Sequence, residues 1–301
     1  MPVKELRLNL VPEKHYPVGA KRDILSKVLE GNFTTLFKGK GMEFAGFREY
    51  TYFDDANLID WAASLRSNKI LIREFEVQKS FNVFLLLDVS DKMLFCSTRK
   101  NKLKVEHAAD LVSRIAYATV RTNNAVGMAM FNDRLVSRIY PEIGYGMILR
   151  INKELSNPNN YGGRYDLKKV IQYVNSFLKT KCLIIIVSDF IGLERGWGGY
   201  MKNLMVNHEV IGMMLRDPRD EEFPDLHAQF ELEDPFSTER LLVDTEEYAR
   251  PYAKEALDEE SGVINAFGQQ YFSFLKLRTD QNFYDPIIRF LKKRAQVYKN
   301  V

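Results

Sequence analysis

Acidic and hydroxyl side chains follow two apolar runs in the middle of the 301-residue chain. Asp88 comes directly after Phe84–Leu87 and is followed by Ser90, and Asp189 closely follows Leu183–Val187. Carboxylate and hydroxyl oxygens are the hard ligands that Mg²⁺ and Mn²⁺ prefer. Acids also often end buried strands without binding anything, so the residues alone leave two interpretations open, a divalent-metal site and structural loop capping.

The alternation of strand and helix patterns indicates how these side chains are brought together. Both apolar runs are typical of strands buried on both faces. Strands alternating with helices predict an α/β fold with a doubly wound, mainly parallel, Rossmann-type sheet. Ligands of such sheets bind beyond the carboxyl ends of the strands, where the strand order reverses. We therefore expect Asp88 and Asp189 at neighbouring strand ends. The predicted helices are 102–121, 144–155, 167–178, 200–207, 246–259 and 284–298, and the predicted strands are 81–88, 125–131, 135–140, 182–189, 209–215, 241–243 and 272–277.

The first eighty residues follow a different pattern. They are rich in Gly, Phe, Arg and Asp without sustained periodicity, with a short helix predicted over 24–29 and a strand over 70–77. We predict a smaller β-rich or irregular subdomain over 1–80 and the α/β domain over 81–301. No flexible linker separates them, so we expect the two to pack together.

Composition places the chain among ordinary globular proteins. Hydrophobic residues make up 46% and charged residues 28%, close to the globular average. The longest apolar runs fall far short of the ~20 residues of a membrane helix, and no signal peptide is evident. Cys96 and Cys182 lack metal-ligand spacing, as is usual in a reducing compartment. We expect a cytoplasmic protein without membrane insertion.

Charge is unevenly distributed along the chain. The net charge is +3, yet residues 219–260 carry −11 and residues 276–299 carry +5. These blocks are either solvated surface or a docking surface for a complementary partner. No basic stripe interleaved with aromatic residues is seen, so nucleic-acid binding is not expected.

No other constellation in the sequence indicates catalysis. His15, His107, His208 and His227 are isolated, and neither a phosphate-binding loop nor a Gly-x-Ser-x-Gly motif is found. Cys96 is better explained as an ordinary thiol than as a nucleophile. We therefore expect a non-enzymatic protein-interaction module. The alternative is a divalent-metal-dependent hydrolase that uses Asp88 and Asp189, with Asp91 or Asp166.

The residues around Asp88 resemble the metal-ion-dependent adhesion site of the von Willebrand factor A fold. That site has the pattern Asp-x-Ser-x-Ser, a Thr in a later loop and a distal Asp. Asp88, Ser90 and Asp189 match the pattern, while Lys92 replaces the second Ser and Tyr165 stands at the Thr position. The resemblance therefore implies a degenerate site, with no cofactor or only weakly bound Mg or Mn. We expect the Lys92 ammonium to fold over the carboxylates where a divalent ion would lie.

The segment before this region resembles the domain-of-unknown-function family 58. The resemblance rests on Gly39–Phe44, Phe47–Tyr50, Asp54-Asp55, Ile59–Ser64 and Ile72–Glu76, with further matches toward the C-terminus. It implies that a von Willebrand A-like domain follows. It also implies partnership with a MoxR-type AAA+ ATPase in protein assembly or remodelling.

Charged residues of the same segment suggest a salt-bridged network. Arg is preferred where a carboxylate is paired through two hydrogen bonds. We expect this network to stabilise the fold, with Trp61 covering it, rather than to form an active site. The expected cations are Arg48, Arg66 and Arg73, and the expected anions are Glu43, Asp54, Asp55, Asp60 and Glu76.

Overall fold

The computed structural model describes residues 6–11, 42–52, 54–77, 82–97, 102–224, 228–233, 239–268 and 273–297. These residues form ten strands and seven α-helices. The strands are β1 (Met42–Glu49), β2 (Leu71–Val77), β3 (Asn82–Asp88), β4 (Ala125–Phe131), β5 (Leu135–Glu142), β6 (Leu183–Ser188), β7 (Glu209–Arg216), β8 (Gln229–Glu233), β9 (Arg240–Asp244) and β10 (Phe274–Arg278). The helices are α1 (Trp61–Ser67), α2 (Lys104–Arg121), α3 (Gly146–Leu155), α4 (Leu167–Phe177), α5 (Trp197–Asn207), α6 (Thr245–Ala266) and α7 (Tyr284–Val297).

Six of the strands form the central sheet, in the order β10-β7-β6-β3-β4-β5. All neighbours are parallel except β5, which runs antiparallel to β4. The first strand of this sheet along the chain is β3, and β4 and β5 follow on one side of it. The chain then returns to place β6 on the other side of β3. The strand order therefore reverses between β3 and β6. The predicted α/β fold with a mainly parallel central sheet is confirmed.

Both faces of the sheet are covered, as the apolar runs predict. Val83, Leu85 and Leu87 of β3 pack with residues of α2, α3 and α7, whereas Phe84 and Leu86 pack with residues of α4 and α5. All five side chains are fully buried. Successive side chains of a strand point to opposite faces, so an uninterrupted apolar run is what a strand needs when helices cover both faces.

The region between β7 and β10 differs from the prediction. Residues 241–243 were expected to continue the central strand–helix alternation, but β9 pairs antiparallel with β8, a strand that the sequence analysis did not identify. The physical reason is polarity: β8 alternates acidic with apolar residues and is largely exposed, and Leu241 and Leu242 are each 65% exposed. Such strands suit a surface hairpin better than a sheet centre.

The N-terminal part contributes two described pieces. Strands β1 and β2 form an antiparallel hairpin with α1 beside it. Residues 6–11 lie along α2: Asn9 N donates to Asp110 Oδ1 at 2.5 Å and Val11 N donates to Ser113 Oγ at 3.0 Å. The helix predicted over 24–29 lies outside the described residues, and the domain boundary at residue 80 stays a prediction.

Candidate functional site

The two acids that follow the apolar runs meet at the carboxyl edge of the sheet. Strands β3 and β6 are parallel neighbours, with Leu87 opposite Val187. Asp88 comes directly after Leu87 and Asp189 comes two residues after Val187, and both are fully buried. Lys92 lies between them, its Nζ 3.2 Å from Asp88 Oδ2 and 2.6 Å from Asp189 Oδ1. A single ammonium thus touches both carboxylates at the point where the strand order reverses.

Local structure explains how Lys92 reaches this position. The chain turns after β3 into a short 3₁₀ helix, Asp91–Met93, which folds the side chain four residues after Asp88 back over the strand end. Lys92 Nζ also donates to Ile191 O at 3.0 Å. It lies 3.2 Å from the centroid of the Tyr165 ring, whose electron-rich face attracts the cation. Tyr165 therefore forms one wall of the Lys92 site.

Hydroxyl groups occupy the remaining lone pairs of Asp88. Ser90 donates to Asp88 Oδ1 from its backbone N at 3.0 Å and from its Oγ at 2.6 Å. Ser188 Oγ donates to Asp88 Oδ2 at 2.6 Å. Both carboxylate oxygens are thus satisfied by protein donors, which a buried charge requires.

A second buried lysine extends the chain of charges. Lys104, the first residue of α2, places its Nζ 2.8 Å from Asp189 Oδ2 and 2.9 Å from Asp220 Oδ2. Asp88, Lys92, Asp189, Lys104 and Asp220 therefore alternate in sign, and we call them the strand-end ion array. Neither Lys104 nor Asp220 was among the predicted site residues. A lysine is rarely buried without a partner, so Lys104 would ordinarily be placed in solvent, yet it is 1% exposed. Its place at the amino end of α2 lets the side chain reach the sheet edge.

The pKa values within the ion array follow from burial and close charges. Burial alone would raise the pKa of Asp189, but the ammonium groups of Lys104 and Lys92 outweigh it and hold that pKa well below its usual range. Burial opposes the charge of Lys104, yet Asp189 and Asp220 raise its pKa above the ordinary value. The pKa of Asp220 is raised, mainly by burial. Lys104 and Asp189 therefore stay charged across the physiological pH range.

The donor arrangement suits an ammonium better than a divalent ion. Asp88 and Asp189 have every carboxylate oxygen engaged by a hydroxyl, an N–H or a lysine, and the Ser90 hydroxyl hydrogen is directed at Asp88. Asp166, named in the hydrolase alternative, caps α4 by accepting from Lys169 N at 2.9 Å. Asp91 opens the 3₁₀ helix instead. Within the described ranges, no three His, Cys, Asp or Glu side chains come together as a metal site would require.

One more cation lies near the array without a comparable set of partners. Arg216 ends β7 and is 2% exposed. Two of its guanidinium nitrogens, Nε and Nη2, are buried and have no hydrogen-bond partner among the residues that the structure describes. The only feature of the sequence that could have indicated Arg216 as a site residue is its position at the end of an apolar strand.

The predicted salt-bridged network of the N-terminal hairpin is present in part. Arg48 donates to Asp54 through both terminal nitrogens, at 2.8 and 2.6 Å. Arg73 Nε donates to Asp60 Oδ2 at 2.9 Å. We call these two the hairpin ion pairs. Both arginines are about half exposed, with side-chain exposures of 43% and 53%, so the network lies at the surface.

The other residues of that prediction have different roles or fall outside the described side chains. Asp55 accepts from Asn57 N at 2.9 Å and caps a short helix. Arg66 Nε donates to the backbone oxygen of Ala62 at 3.1 Å, where a carboxylate was expected. Glu43 and Glu76 face one another in the β1–β2 register, but the side chains there lie outside the description.

Trp61 does not cover the ion pairs as expected, because it is 65% exposed. Helix α1 buries Ala63 and Ser64, so its packed side is centred between these two residues. At 100° per residue, Trp61 lies about 110° around the helix from that centre. Leu65, four residues after Trp61 and therefore on the same side, is 85% exposed. The prediction that Trp61 covers the ion pairs was wrong.

The oppositely charged blocks of the sequence partly neutralise one another. Lys276 Nζ lies 2.8 Å from Glu221 Oε1 and 2.6 Å from Glu260 Oε2. Arg278 Nη1 lies 3.0 Å from Glu221 Oε2. These three contacts join the basic segment at 276–299 to the acidic segment at 219–260, so part of each block is neither solvated nor open to a partner.

Mycobacterial proteins are similar to this chain, two of them over most of its length. An uncharacterized protein of Mycobacterium tuberculosis and one of Mycobacterium bovis are each 26% identical over 282 residues, covering 90% of this chain and 86% of theirs. An uncharacterized Mycobacterium avium protein is 29% identical over 137 residues, covering 45% of this chain and 79% of its own.

Solved structures to which this chain is similar have lower sequence identities. The conserved hypothetical protein BatB from Bacteroides thetaiotaomicron is 15% identical, with a TM-score of 0.45 over 72% of this chain and 100% of its own. An aerotolerance-related membrane protein from Bacteroides fragilis is 14% identical, with a TM-score of 0.43 and the same coverage. In the described part of this chain, no helix is both long and apolar enough to cross a membrane.

A family match covers the hairpin ion pairs and the whole strand-end ion array. Residues 46–262, more than half of the chain, match the family described as "Protein of unknown function DUF58". The chain therefore belongs to the DUF58 family.

Proposed function

We propose that this chain is a non-enzymatic protein-interaction module with a von Willebrand factor A-like domain whose metal position is held by Lys92. The observation that carries the proposal is the Lys92 ammonium, which contacts both Asp88 and Asp189 at the switch point of the sheet. We further propose that the module works in the cytoplasm with a MoxR-type AAA+ ATPase, in protein assembly or remodelling. The resemblances of the sequence support this partner.

A divalent ion would compete with Lys92 for the carboxylates of Asp88 and Asp189. Two buried acids held close together raise one another's pKa unless a cation compensates them. Lys92 supplies that cation from the same chain and makes a further hydrogen bond to Ile191 O. A Mg²⁺ ion would have to displace it, give up most of its waters and find near-octahedral ligands at 2.0–2.1 Å. Partner contact at this edge is therefore metal-independent in our proposal.

Calorimetric titration with Mg²⁺ and Mn²⁺ tests the metal part of the proposal. Wild type is expected to give no binding heat up to millimolar metal. The double variant Lys92→Ser, Tyr165→Thr restores two hydroxyl ligands and is expected to gain binding. Lys202→Ser, at an exposed position of α5, controls for the loss of one positive charge. Micromolar binding by wild type contradicts the proposal.

Association with the partner is tested separately. A purified MoxR-type ATPase, loaded with a slowly hydrolysed ATP analogue and the Mg²⁺ that this nucleotide requires, is expected to bind the chain saturably. No association contradicts the proposed partnership. Turnover of phosphoesters in Mg²⁺ or Mn²⁺ that Asp88→Ala abolishes would instead support the hydrolase alternative.

A further inference from the structure

A groove opens between β5, at one edge of the central sheet, and helix α4. Its volume is about 510 Å³. The strand side contributes Arg134, Leu135 and Arg138, and the helix side contributes Tyr173, Ser176 and Phe177. Because β5 is the outermost strand, its outer edge has no strand partner among the described residues. An open strand edge presents backbone N–H and C=O groups that another extended chain can pair with.

The charge of this groove has one sign. Both charged residues lining it are arginines, both are exposed, and neither forms an ion pair within the described ranges. By contrast, Arg150 of α3 pairs at 3.0 Å with Glu142, at the far end of the same strand. The strand therefore has a compensated charge at one end and two uncompensated cations where the groove lies.

The floor of the groove is aromatic and anchored in the core. Phe177 lies 5.9 Å from Phe84 of the central strand and 5.6 Å from Tyr140, measured between ring centroids. The guanidinium of Arg138 lies 5.8 Å from the Phe177 ring centroid. A guanidinium over an aromatic face keeps its N–H donors available for a carboxylate. Tyr173, one turn before Phe177, is 45% exposed at the rim.

We propose that the β5–α4 groove binds an extended acidic segment of a partner protein. The segment adds along β5, two carboxylates meet Arg134 and Arg138, and an apolar side chain between them packs over Phe177. Arg134 directly precedes β5, and the register of β5 shifts between Leu135 and Ser137. The two arginines therefore lie no farther apart along the chain than the about 13 Å of four extended residues, a distance that two acids separated by three residues can span in an extended peptide. Strand addition supplies affinity through the backbone and specificity through side-chain pockets, and Tyr and Arg are the residue types that dominate binding energy at interfaces.

A peptide is favoured over a nucleic acid because one wall of the groove is a strand edge. Its backbone donors and acceptors match a peptide backbone, whereas non-specific nucleic-acid binding relies on many cations that neutralise phosphates. This inference goes beyond the proposed function, since it concerns a different surface and does not depend on whether the strand-end ion array binds metal.

The test uses fluorescence anisotropy with the full-length chain. The probe is a labelled synthetic peptide of about nine residues, with two glutamates separated by three residues and a phenylalanine midway between them. We expect saturable binding that weakens as NaCl is raised, because charge pairs at an exposed groove are screened. Arg134→Glu with Arg138→Glu is expected to weaken binding at least tenfold. The matched control, Arg195→Glu with Lys202→Glu, makes the same charge change at exposed positions outside the groove and is expected to stay within twofold.

Three outcomes overturn the inference. An equal loss in both double variants makes the binding a general charge effect. Equal affinity for a peptide with lysines in place of the glutamates removes the acidic specificity. Tighter binding of a single-stranded oligonucleotide, lost in Arg134→Glu with Arg138→Glu, assigns the groove to nucleic acid. If Arg134→Glu with Arg138→Glu misfolds, Tyr173→Ala serves as the second test. It removes a ring that is 45% exposed, and the affinity for the acidic peptide is expected to fall several-fold.

Discussion

The strand-end ion array and the hairpin ion pairs contain the same chemistry in different surroundings. Lys92 Nζ lies 2.6 Å from Asp189, and Arg48 Nη2 lies 2.6 Å from Asp54. The side chains of the first pair are 6% and 0% exposed, and those of the second are 43% and 15% exposed. Equal distances thus occur where water is excluded and where it is present. The distance between the charged groups therefore does not by itself fix the energy of an ion pair.

Access to water makes the energies of the two kinds of ion pair different. An exposed ion pair replaces hydration that each partner regains when the pair opens, so it contributes little to stability. A buried pair is not necessarily stabilising overall, but removing one partner leaves a charge that water cannot reach. The ion array should therefore tolerate no single deletion, while the hairpin ion pairs should tolerate several.

Asp189→Ala is the change with the largest expected effect. It removes the carboxylate shared by Lys92 and Lys104 and leaves two buried ammonium groups short of a partner. Breaking a buried pair in this way costs about 3–5 kcal/mol. Urea unfolding followed by circular dichroism measures the loss. A cost below about 1 kcal/mol would mean that water enters the array and would weaken the contrast with the hairpin.

Arg216→Met is expected to act in the opposite direction. Its Nε and Nη2 are buried without a hydrogen-bond partner in the described part of the chain, and burying polar groups without hydrogen bonds costs free energy. Replacing even a paired set of buried charges by apolar side chains is often neutral or stabilising by about 1–4 kcal/mol, so Met is expected to be neutral or stabilising at this position. The same unfolding measurement applies. Lys92→Met, which removes a fully paired cation, serves as the contrast and should destabilise. Destabilisation by both variants contradicts this account of Arg216.

The acid side of the pH profile should distinguish Asp189 from Asn at the same position. The folded pKa of Asp189 is depressed because Lys104 and Lys92 outweigh its burial. The ionised carboxylate of Asp189 therefore contributes to the free energy of unfolding above about pH 3.9, the ordinary pKa of Asp in the unfolded chain. This contribution is lost as the pH falls toward the pKa of Asp189 in the folded protein. The stability difference between wild type and Asp189→Asn should be constant from about pH 8 to 5 and shrink below about pH 4. A difference that instead shrinks above pH 7 would contradict the assignment.

Asp54→Ala is expected to have the smallest effect. Asp54 accepts two hydrogen bonds from Arg48, but the arginine is solvated and loses little when its partner is removed. The unfolding midpoint should move much less than in Asp189→Ala under the same conditions. Comparable losses in the two variants would show that exposure does not separate these regions.

Local patterns predicted the frame of the molecule well. The run before Asp88 predicted a strand buried on both faces because a sheet covered on both sides admits no polar position, and β3 has that burial. Lys92 was predicted to fold over the carboxylates, since four residues across a tight turn bring its Nζ within reach of Asp88. Both inferences depend on neighbours in sequence.

What could not be predicted depends on partners far along the chain. Lys104 contacts Asp189 85 residues away and Asp220 116 residues away, so the pattern of its own helix gives no indication of either contact. Trp61 was expected to cover the charged network, but the side of α1 that packs is the side of Ala63 and Ser64. A residue's type limits where it can lie, and long-range packing selects among those places.

The segment at residues 6–11 pairs with a helix where an extended chain would ordinarily pair with a strand. Backbone N–H groups of Arg7, Asn9 and Val11 donate to Glu106, Asp110 and Ser113 of α2. Two residues of a strand advance about 6.6 Å, whereas a helical step of three or four residues advances about 4.5–6.0 Å. The spacing of the donors and the spacing of the acceptors therefore differ more with each successive hydrogen bond. An extended segment can keep such bonds to a straight helix for only about three contacts, which limits the length of this interaction.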